Sequence, residues 1–121
     1  MGWIGVDLDG TLAESRTGQG ARIGKPVESM MQRITLWLSE GRDVRIFTAR
    51  AATADGVRAV QRWLRAQGLP ALAVTTMKDS EMLQLWDDRA IRVVKNTGKV
   101  CAGCEKRRAL TAEDQGTLTD C

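Results

Sequence analysis

Residues 3–11 read WIGVDLDGT, an apolar run that leads directly into two carboxylates, Asp7 and Asp9. A short apolar run bounded in this way is typical of a strand buried in a sheet. Two neighbouring acids at the end of such a strand repel each other, and burial of the first adds a further cost. The stretch therefore predicts a buried strand that delivers two acidic side chains for a chemical purpose.

The rest of the chain alternates between helical and extended patterns. Apolar residues recur at helical spacing from Pro26 to Gly41, and again from Thr53, a candidate helix cap, to Gly68. Further apolar runs predict strands at 43–48, 71–76, 82–86 and 90–94. This order predicts an α/β protein with a three-layer Rossmannoid fold, a mainly parallel central sheet and buried strands.

One link does not fit the simplest version of this topology. Only residues 77–81 separate the third and fourth predicted strands, whereas a parallel crossover usually needs a dozen residues or more. Two alternatives are open: the link is an extended crossover, or one of the strands is short or antiparallel.

The length of 121 residues predicts one domain, with residues 1–100 as its core and 101–121 as a C-terminal tail, partly disordered or loosely docked. No apolar stretch is long enough to span a bilayer, and the N-terminus shows no secretory pattern. Three cysteines are an odd number and argue against a disulfide framework. We therefore expect a cytoplasmic protein with no membrane partner.

Composition also limits the chemistry. The chain contains no histidine, which excludes histidine as a catalytic base or metal ligand, so acid–base work must fall to Asp, Glu, Lys or Cys. The net charge of +3 allows an anionic substrate without requiring nucleic acid.

Polar residues follow each of the first four predicted strands. Since the carboxyl ends of parallel strands meet at one edge, where ligands bind, we expect these side chains to converge. Acids from two strands suit a hard cation, most plausibly Mg²⁺, while a hydroxyl and a lysine suit an anion. Together they indicate phosphoryl transfer. The residues are Asp7, Asp9 and Thr11; Thr48 and Arg50; Lys78; and Asp87 and Asp88.

In the order DLDGT, FTAR, Lys78 and WDDRA, these motifs resemble the four-motif signature of the haloacid dehalogenase-like (HAD) superfamily of phosphohydrolases. The resemblance covers residues 3 to about 95, and the block KDSEMLQLWDDRAIRVVKNTG looks like small bacterial and phage members. The DDR segment also resembles the phosphatase half of bacteriophage polynucleotide kinase-phosphatases.

The resemblance implies a role for each matching residue. Asp7 would be the nucleophile that forms an aspartyl-phosphate. Asp9 would protonate the leaving oxygen, then activate water, and its backbone carbonyl would bind Mg²⁺. The metal site would comprise Asp7, Asp9, Asp87 and Asp88, with Asp87 favoured over Asp88 as the direct ligand. The substrate side would comprise Thr11, which supports the loop, together with Thr48 and Lys78. Arg50 is a candidate substrate-binding residue or, alternatively, a structural partner of these acids.

Many members of this superfamily carry a cap domain that selects the substrate. Here the loop at 14–25 and the gap from Arg50 to Thr53 are too short to hold one, so we expect a capless fold. An open site favours large substrates such as nucleic-acid ends or phosphoproteins, although another subunit could supply a lid. The loop, with Arg16, Arg22 and Lys25, is a candidate flap.

Each motif also has a structural interpretation. Asp9 to Thr11 could be a plain turn, Thr48 could simply end a strand, and Lys78 could be a solvated loop residue. Cys101 and Cys104 have zinc-knuckle spacing, but only Cys121 remains as a third thiolate, so ordinary thiols are favoured. The four tryptophans are expected to fill the core, and Arg58, Arg62 and Arg65 to form a solvated helix face.

From the sequence we expect a Mg²⁺-dependent phosphatase that hydrolyses a phosphomonoester through an aspartyl-phosphate. Two alternatives stay open: a nucleic-acid end phosphatase, and a catalytically silent binding module on the same fold. The expected partner is a phosphorylated small molecule or nucleic-acid end, and an oligomer is compatible with the sequence. Fold alone does not choose among these functions.

Overall fold

The computed structural model describes residues 2–105 and 118–119. The chain divides into two compact units, Met1–Asp88 and Arg89–Cys121. Every residue that the sequence nominated for the site falls within the first unit.

The first unit is built around a parallel four-stranded sheet in the order β3-β2-β1-β4. Its strands are β1 (Trp3–Val6), β2 (Asp43–Phe47), β3 (Ala73–Thr75) and β4 (Met82–Trp86), and its helices are α1 (Glu28–Ser39) and α2 (Ala54–Ala66). This is the mixed α/β architecture that the sequence predicts. The described residues contain no cap domain.

Side chains alternate between the two faces of the sheet along each strand, and the buried ones show which face the helices cover. Ile4 and Val6 of β1 face the same way as Val44 and Ile46 of β2, and all four are buried in the main core. The buried residues Met30 and Ile34 from α1 and Val60 and Leu64 from α2 join that core. Both helices therefore pack on one face of the sheet, and the predicted apolar stripes are confirmed. The prediction that the strands are buried is wrong for β4, in which Leu83 and Leu85 are exposed.

Trp3 anchors the opposite face of β1. Its indole lies under the guanidinium of Arg45, with 4.7 Å between the Arg45 Cζ and the ring centroid, and its Nε1 donates to Asp79 Oδ1 at 2.8 Å. This hydrogen bond is the main reason that the pKa of Asp79 is lowered. Asp79 lies in the link between β3 and β4, which contains no helix and ends with Trp3 N donating to Glu81 O at 3.0 Å. Since β4 is parallel to β1, the link is the extended crossover.

The helix ends follow local signals. The hydroxyl of Thr53 accepts the amide of Gly56 and caps α2, as predicted. Gly41 and Gly68 follow α1 and α2 with φ of +77° and +79°, a left-handed conformation that glycine adopts without strain. The prediction that Pro26 opens the first helix is wrong, because α1 begins at Glu28 and Pro26 instead bridges to Ala13.

The second unit contains β5 (Val100–Cys101), α3 (Ala102–Glu105) and β6 (Leu118–Thr119), with β5 and β6 parallel. The predicted strand at 90–94 is wrong. The chain reverses through Asn96 and Gly98, both with positive φ, so that Val93 bridges antiparallel to Val100. The backbone of residues 90–94 thus forms hydrogen bonds with residues close in sequence: Val94 N donates to Lys99 O, and Cys101 N donates to Arg92 O.

Two of the three cysteines, Cys101 and Cys104, lie among the described residues. Cys101 is disulfide-bonded, so the expectation of an ordinary thiol is wrong at this position, whereas Cys104 is a buried thiol that accepts the Arg92 amide. Residues 106–117 and Cys121, which the tail and zinc interpretations include, lie outside the described residues. Among the residues described, no helix combines the length and the apolar composition needed to cross a membrane.

Tryptophans and surface arginines behave as the simpler interpretation predicts. Trp3 is buried and the other three tryptophans are partly buried, with Trp37 meeting Trp86 edge to face at 5.1 Å between centroids. The arginines of α2 are exposed: Arg58, Arg62 and Arg65. These residues serve packing and solvation.

Candidate functional site

The loop after β1 is held by its apolar members. Leu8, Leu12 and Ala13 are fully buried, and the amides of Leu12 and Ala13 both donate to Leu8 O, at 3.0 and 2.9 Å. At its start, Asp7 N donates to Trp86 O at 2.9 Å, which continues the pairing of β1 with β4 by one residue. Asp7 is thereby placed beside the acids that follow β4.

Three carboxylates converge at this edge of the sheet. Asp7, Asp87 and Asp88 each offer one oxygen, and these oxygens lie within 4.8 Å of one another. Asp7 and Asp87 are partly buried, while Asp88 is exposed. The structure thus brings together three of the four acids that the sequence nominated as metal ligands.

The cluster perturbs the titration of Asp7. Burial is the main cause, followed by the hydrogen bond to Asp88 and the charges of Asp87 and Asp88, and together they raise the pKa of Asp7 to about 7. A hydrogen bond from the Leu8 amide opposes this rise. The pKa of Asp7 therefore lies well above that of an ordinary aspartate.

Gly10 and Thr11 shape the space around Asp88. Gly10 has φ of +91°, and a Cβ at this position would lie 2.6 Å from Asp88 Oδ2. The hydroxyl of Thr11 lies 3.3 Å from Asp88 Oδ1 and 3.4 Å from Asp7 Oδ2, so that it bridges the two carboxylates. The glycine at position 10 therefore leaves room for Asp88 to lie close to Asp7. Thr11 contacts both of these carboxylates.

Asp9 takes a different direction. Its Oδ2 accepts Arg50 Nε at 2.7 Å and its Oδ1 accepts Arg50 Nη2 at 3.0 Å, a two-point ion pair. The two side chains are 31% and 21% exposed, so the pair is partly shielded from solvent. This bond is the main reason that the pKa of Arg50 is raised. Asp9 thus contributes no carboxylate to the acidic cluster, although its backbone carbonyl is independent of this pair.

Arg50 also reaches the loop at 14–25. Its Nη1 donates to Ala21 O at 2.6 Å and its Nη2 to Arg22 O at 3.3 Å. The same loop lines a cavity of about 780 Å³ with Arg16, Arg22 and Lys25, and none of the four nominated acids lines that cavity. The loop is therefore tied to the site through Arg50.

Thr48 follows β2 at the same edge. It is buried, with 3% of its surface exposed, and its amide donates to Thr75 O at 2.9 Å. Its hydroxyl accepts the Arg50 amide at 3.2 Å and caps the short 3-10 turn Ala49–Ala52. A hydroxyl that accepts one bond can still donate its own hydrogen, so Thr48 is able both to cap and to bind an anion.

Lys78 lies in the extended crossover and is exposed. None of the salt bridges among the described residues includes it. Its contact with a phosphoryl group, which the resemblance implies, stays a prediction.

The donor set suits a hard divalent cation. The three clustered groups are carboxylates, which are the ligands that Mg²⁺ and Ca²⁺ prefer, and the described part of the chain offers no histidine or thiolate beside them. A cation there would also oppose the burial and the charge repulsion that together raise the pKa of Asp7. The residues present therefore fit a hard divalent cation at Asp7, Asp87 and Asp88.

Sequence reasoning placed Arg50 at the site but left open whether it contacts substrate or pairs with an acid. It did not anticipate the bonds from Arg50 to the carbonyls of Ala21 and Arg22, because backbone acceptors leave no signal in side-chain identity. The glycine at position 56, by contrast, is a feature of the sequence that indicates a close backbone contact. A Cβ there would lie 1.8 Å from Arg50 O, so only a glycine lets α2 start against the 3-10 turn.

The chain matches no protein-family model and no curated protein sequence. It is similar to a solved structure, that of a conserved protein from Bacteroides thetaiotaomicron, with a TM-score of 0.57. The two sequences are 23% identical, and the match covers 74% of this chain and 77% of the other. This similarity shows a shared fold and does not extend to activity.

Proposed function

We propose that this protein is a Mg²⁺-dependent phosphomonoesterase that works through an aspartyl-phosphate on Asp7. The observation that carries the proposal is the convergence of Asp7, Asp87 and Asp88 from two strand ends, with oxygens within 4.8 Å of one another. The mutual repulsion of three clustered acids lowers the stability of the fold, and a bound cation would offset it.

The residues can be assigned to the two halves of the reaction. In the first, a carboxylate oxygen of Asp7 bonds to phosphorus, the ester P–O bond breaks, and the departing oxygen takes a proton from Asp9, which must first leave its ion pair with Arg50 and take up that proton. In the second, Asp9 takes a proton from water, the water oxygen bonds to phosphorus, and the bond from phosphorus to Asp7 breaks. The products are the alcohol and inorganic phosphate, and both aspartates return to their starting states.

The surrounding residues supply orientation and charge. The buried hydroxyl of Thr48 would donate to a phosphoryl oxygen, and Lys78 would add a positive charge from the crossover. Mg²⁺, when bound, supplies charge neutralisation at the phosphoryl oxygens and keeps Asp7 ionised as a nucleophile. The hydroxyl of Thr11 lies between the carboxylates of Asp7 and Asp88 and would help to keep them close together.

A hydrolysis assay tests the proposal. Purified protein is incubated with 4-nitrophenyl phosphate in Mg²⁺ and, separately, in EDTA, and phosphate release is measured. We expect turnover with Mg²⁺, its loss in EDTA, and its loss in Asp7→Asn. The matched control is Asp55→Asn, which removes an exposed acid paired with Arg58 on α2. Equal turnover by Asp7→Asn and the wild type would refute the nucleophile, and no turnover at all would favour the binding module.

A second candidate is the removal of phosphate from a nucleic-acid end. Its support is the exposed basic loop, since Arg16 and Arg22 lie on the part of the chain that Arg50 ties to Asp9. This function predicts binding to a 5′- or 3′-phosphorylated oligonucleotide that weakens steeply with salt. Equal affinity at about 50 and 200 mM salt would remove this candidate.

A further inference from the structure

We propose that a groove beside α1 binds an extended segment of a partner protein, with acidic residues at one end of that segment and apolar residues at the other. Two adjoining cavities form the groove. The loop cavity, of about 780 Å³, is lined by the loop at 14–25, and the helix cavity, of about 640 Å³, is lined by α1. Pro26 and Gln67 line both, so the two cavities are continuous. This binding does not depend on the proposed function.

The groove is separate from the acidic cluster. None of the four nominated acids lines either cavity. The groove also extends away from the edge that carries those acids, because α1 ends at Ser39, shortly before β2 begins at Asp43. Asp43 pairs with Trp3 at the amino end of β1, whereas Asp7 follows the carboxyl end of that strand. A ligand that fills the groove therefore lies outside the acidic cluster.

Positive charge is concentrated at the loop end of the groove. The loop cavity is lined by three basic side chains, Arg16, Arg22 and Lys25, and by one acidic side chain, Glu14. Glu14 pairs with Arg16 at 2.9 Å, whereas none of the salt bridges among the described residues includes Arg22 or Lys25. Both of these residues are exposed. This end of the groove is therefore complementary to carboxylates.

The loop that carries these charges is braced by its own hydrogen bonds. The side chain of Gln19 accepts the Arg16 amide at 3.2 Å and donates to Arg22 O, and Arg22 Nε donates to Gln19 O at 3.2 Å. Trp63 of α2 fastens the end of the loop, since its Nε1 donates to Gly24 O at 2.9 Å. A loop that is ordered before binding loses less conformational entropy when an anion binds.

The helix end of the groove is apolar and carries little charge. Leu36 is 56% exposed there, so a bound apolar side chain would remove it from water. Among the described residues, Glu28 is the one charged side chain that lines the helix cavity. The lining residues of α1 lie at helical spacing on one side of the helix: Glu28, Met31, Gln32, Thr35, Leu36 and Ser39.

This distribution of charge favours a peptide over a nucleic acid. A nucleic-acid strand carries regularly spaced phosphates and needs basic residues along its path. Here the basic residues lie at one end, and Glu28 would repel a phosphate farther along. A peptide can place acidic and apolar side chains separately. Glu28 and Leu36 are about 12 Å apart along the helix axis at about 1.5 Å per residue, a distance that an extended peptide spans with about four residues.

Fluorescence anisotropy with a synthetic peptide of matching pattern tests the proposal. The first probe is fluorescein-labelled and carries a block of glutamates, a Gly-Ser spacer of about four residues and a pair of leucines. A second probe has serines in place of the leucines, and a third has glutamines in place of the glutamates. The variants are Lys25→Gln and Leu36→Gln, both at exposed positions. The matched control is Arg62→Gln, which removes an exposed charge of α2 that lines neither cavity.

We expect Lys25→Gln to raise the Kd for the first probe about threefold and Leu36→Gln about tenfold, with Arg62→Gln unchanged. Each loss should be absent with the probe that lacks the matching group, because the contact is then already missing. The same Kd in all four proteins, or losses that are equal for all three probes, would overturn the proposal. If Leu36→Gln does not fold by circular dichroism, Leu36→Ala takes its place with the same expected direction.

The remaining outcomes separate other occupants of the groove. Tighter binding of a single-stranded oligonucleotide than of the first probe at about 150 mM salt would overturn the peptide in favour of a nucleic acid. Self-association that Leu36→Gln abolishes in sedimentation velocity would overturn it in favour of a second copy. No binding of the first probe at about 1 mM protein would also overturn it. Asp7→Asn should bind this probe as the wild type does, whether or not the protein hydrolyses esters, and a loss of binding there would place the peptide at the acidic cluster instead.

Discussion

The carboxylate of Asp88 rests against the α-carbon of Gly10, so closely that a Cβ at position 10 would lie 2.6 Å from Asp88 Oδ2. Gly10 also has φ of +91°. Two separate requirements therefore select glycine here: a backbone conformation that other residues rarely adopt, and the space that an acid from β4 occupies. The DLDGT and WDDRA segments therefore pack directly against each other at this contact.

This fit predicts that Gly10→Ala weakens metal binding as well as stability. The added methyl group must push Asp88 away from Asp7, and the left-handed backbone adds strain of about 1–3 kcal/mol. We expect a clear loss of Mg²⁺ affinity by calorimetric titration, together with a lower free energy of unfolding in urea. The control is Gly18→Ala, where φ is +81° but a Cβ would meet nothing within 4 Å. It should share the strain and keep the affinity; equal affinities in both variants would contradict the prediction.

The raised pKa of Asp7 predicts that the metal-free protein loses stability as pH rises. The pKa of Asp7 rises from 3.8, the ordinary value for an aspartate, to about 7 in the fold, so between these pH values the native state holds more protons than the unfolded state. The free energy of unfolding therefore falls with rising pH across that window and levels off above pH 7. Since Asp7 is only partly buried, solvent screening reduces the loss to about 1–2 kcal/mol.

Asp7→Asn provides the matching measurement. The amide does not ionise, so the variant should be more stable than wild type in EDTA at pH 8, by about 1–2 kcal/mol, and closer to it at pH 4. Urea unfolding at the two pH values measures this difference. A variant that is less stable than wild type at pH 8 would show that the cluster does not strain the fold.

Magnesium binding should offset the loss of stability that ionisation of Asp7 causes. A cation that binds the native state at about a hundred times its Kd adds about 2.7 kcal/mol to the free energy of unfolding. We expect Mg²⁺ to raise the Tm of wild type more at pH 8 than at pH 6, because protons compete for Asp7. Differential scanning calorimetry of Asp87→Asn and Asp88→Asn should show a reduced shift, and Asp55→Asn the full one. A shift that is the same in all four proteins would place the ion elsewhere.

Much of this site could be predicted because its residues follow strands. Asp7, Thr48 and Asp87 each stand directly after an apolar run, and parallel strands bring their ends to one edge. The strand at 82–86 and the helix cap at Thr53 could likewise be predicted from the residues immediately around them. Two alternatives were open for the link at 77–81, and the parallel pairing of β4 with β1 decides for the extended crossover.

The parts that escaped prediction depend on long-range backbone contacts. The run at 90–94 has the composition of a strand, yet a turn through Asn96 and Gly98 lets it pair with residues that follow it. Pro26 has the fixed φ that suits a helix start, but its pairing with Ala13 delays the helix to Glu28. Tertiary pairing overrode local preference in both cases.

Thr48 gives a last prediction, in which a structural and a binding role separate. Thr48→Val keeps the shape and removes the hydroxyl that accepts the Arg50 amide at 3.2 Å, which should cost about 1–2 kcal/mol of unfolding free energy. If the hydroxyl also donates to the phosphoryl group, kcat/KM should fall by about tenfold or more beyond the loss of folded protein. Thr48→Ser retains the hydroxyl and should restore both quantities. Urea unfolding and steady-state kinetics on the three proteins measure them, and wild-type kcat/KM in Thr48→Val would leave Thr48 with the capping role alone.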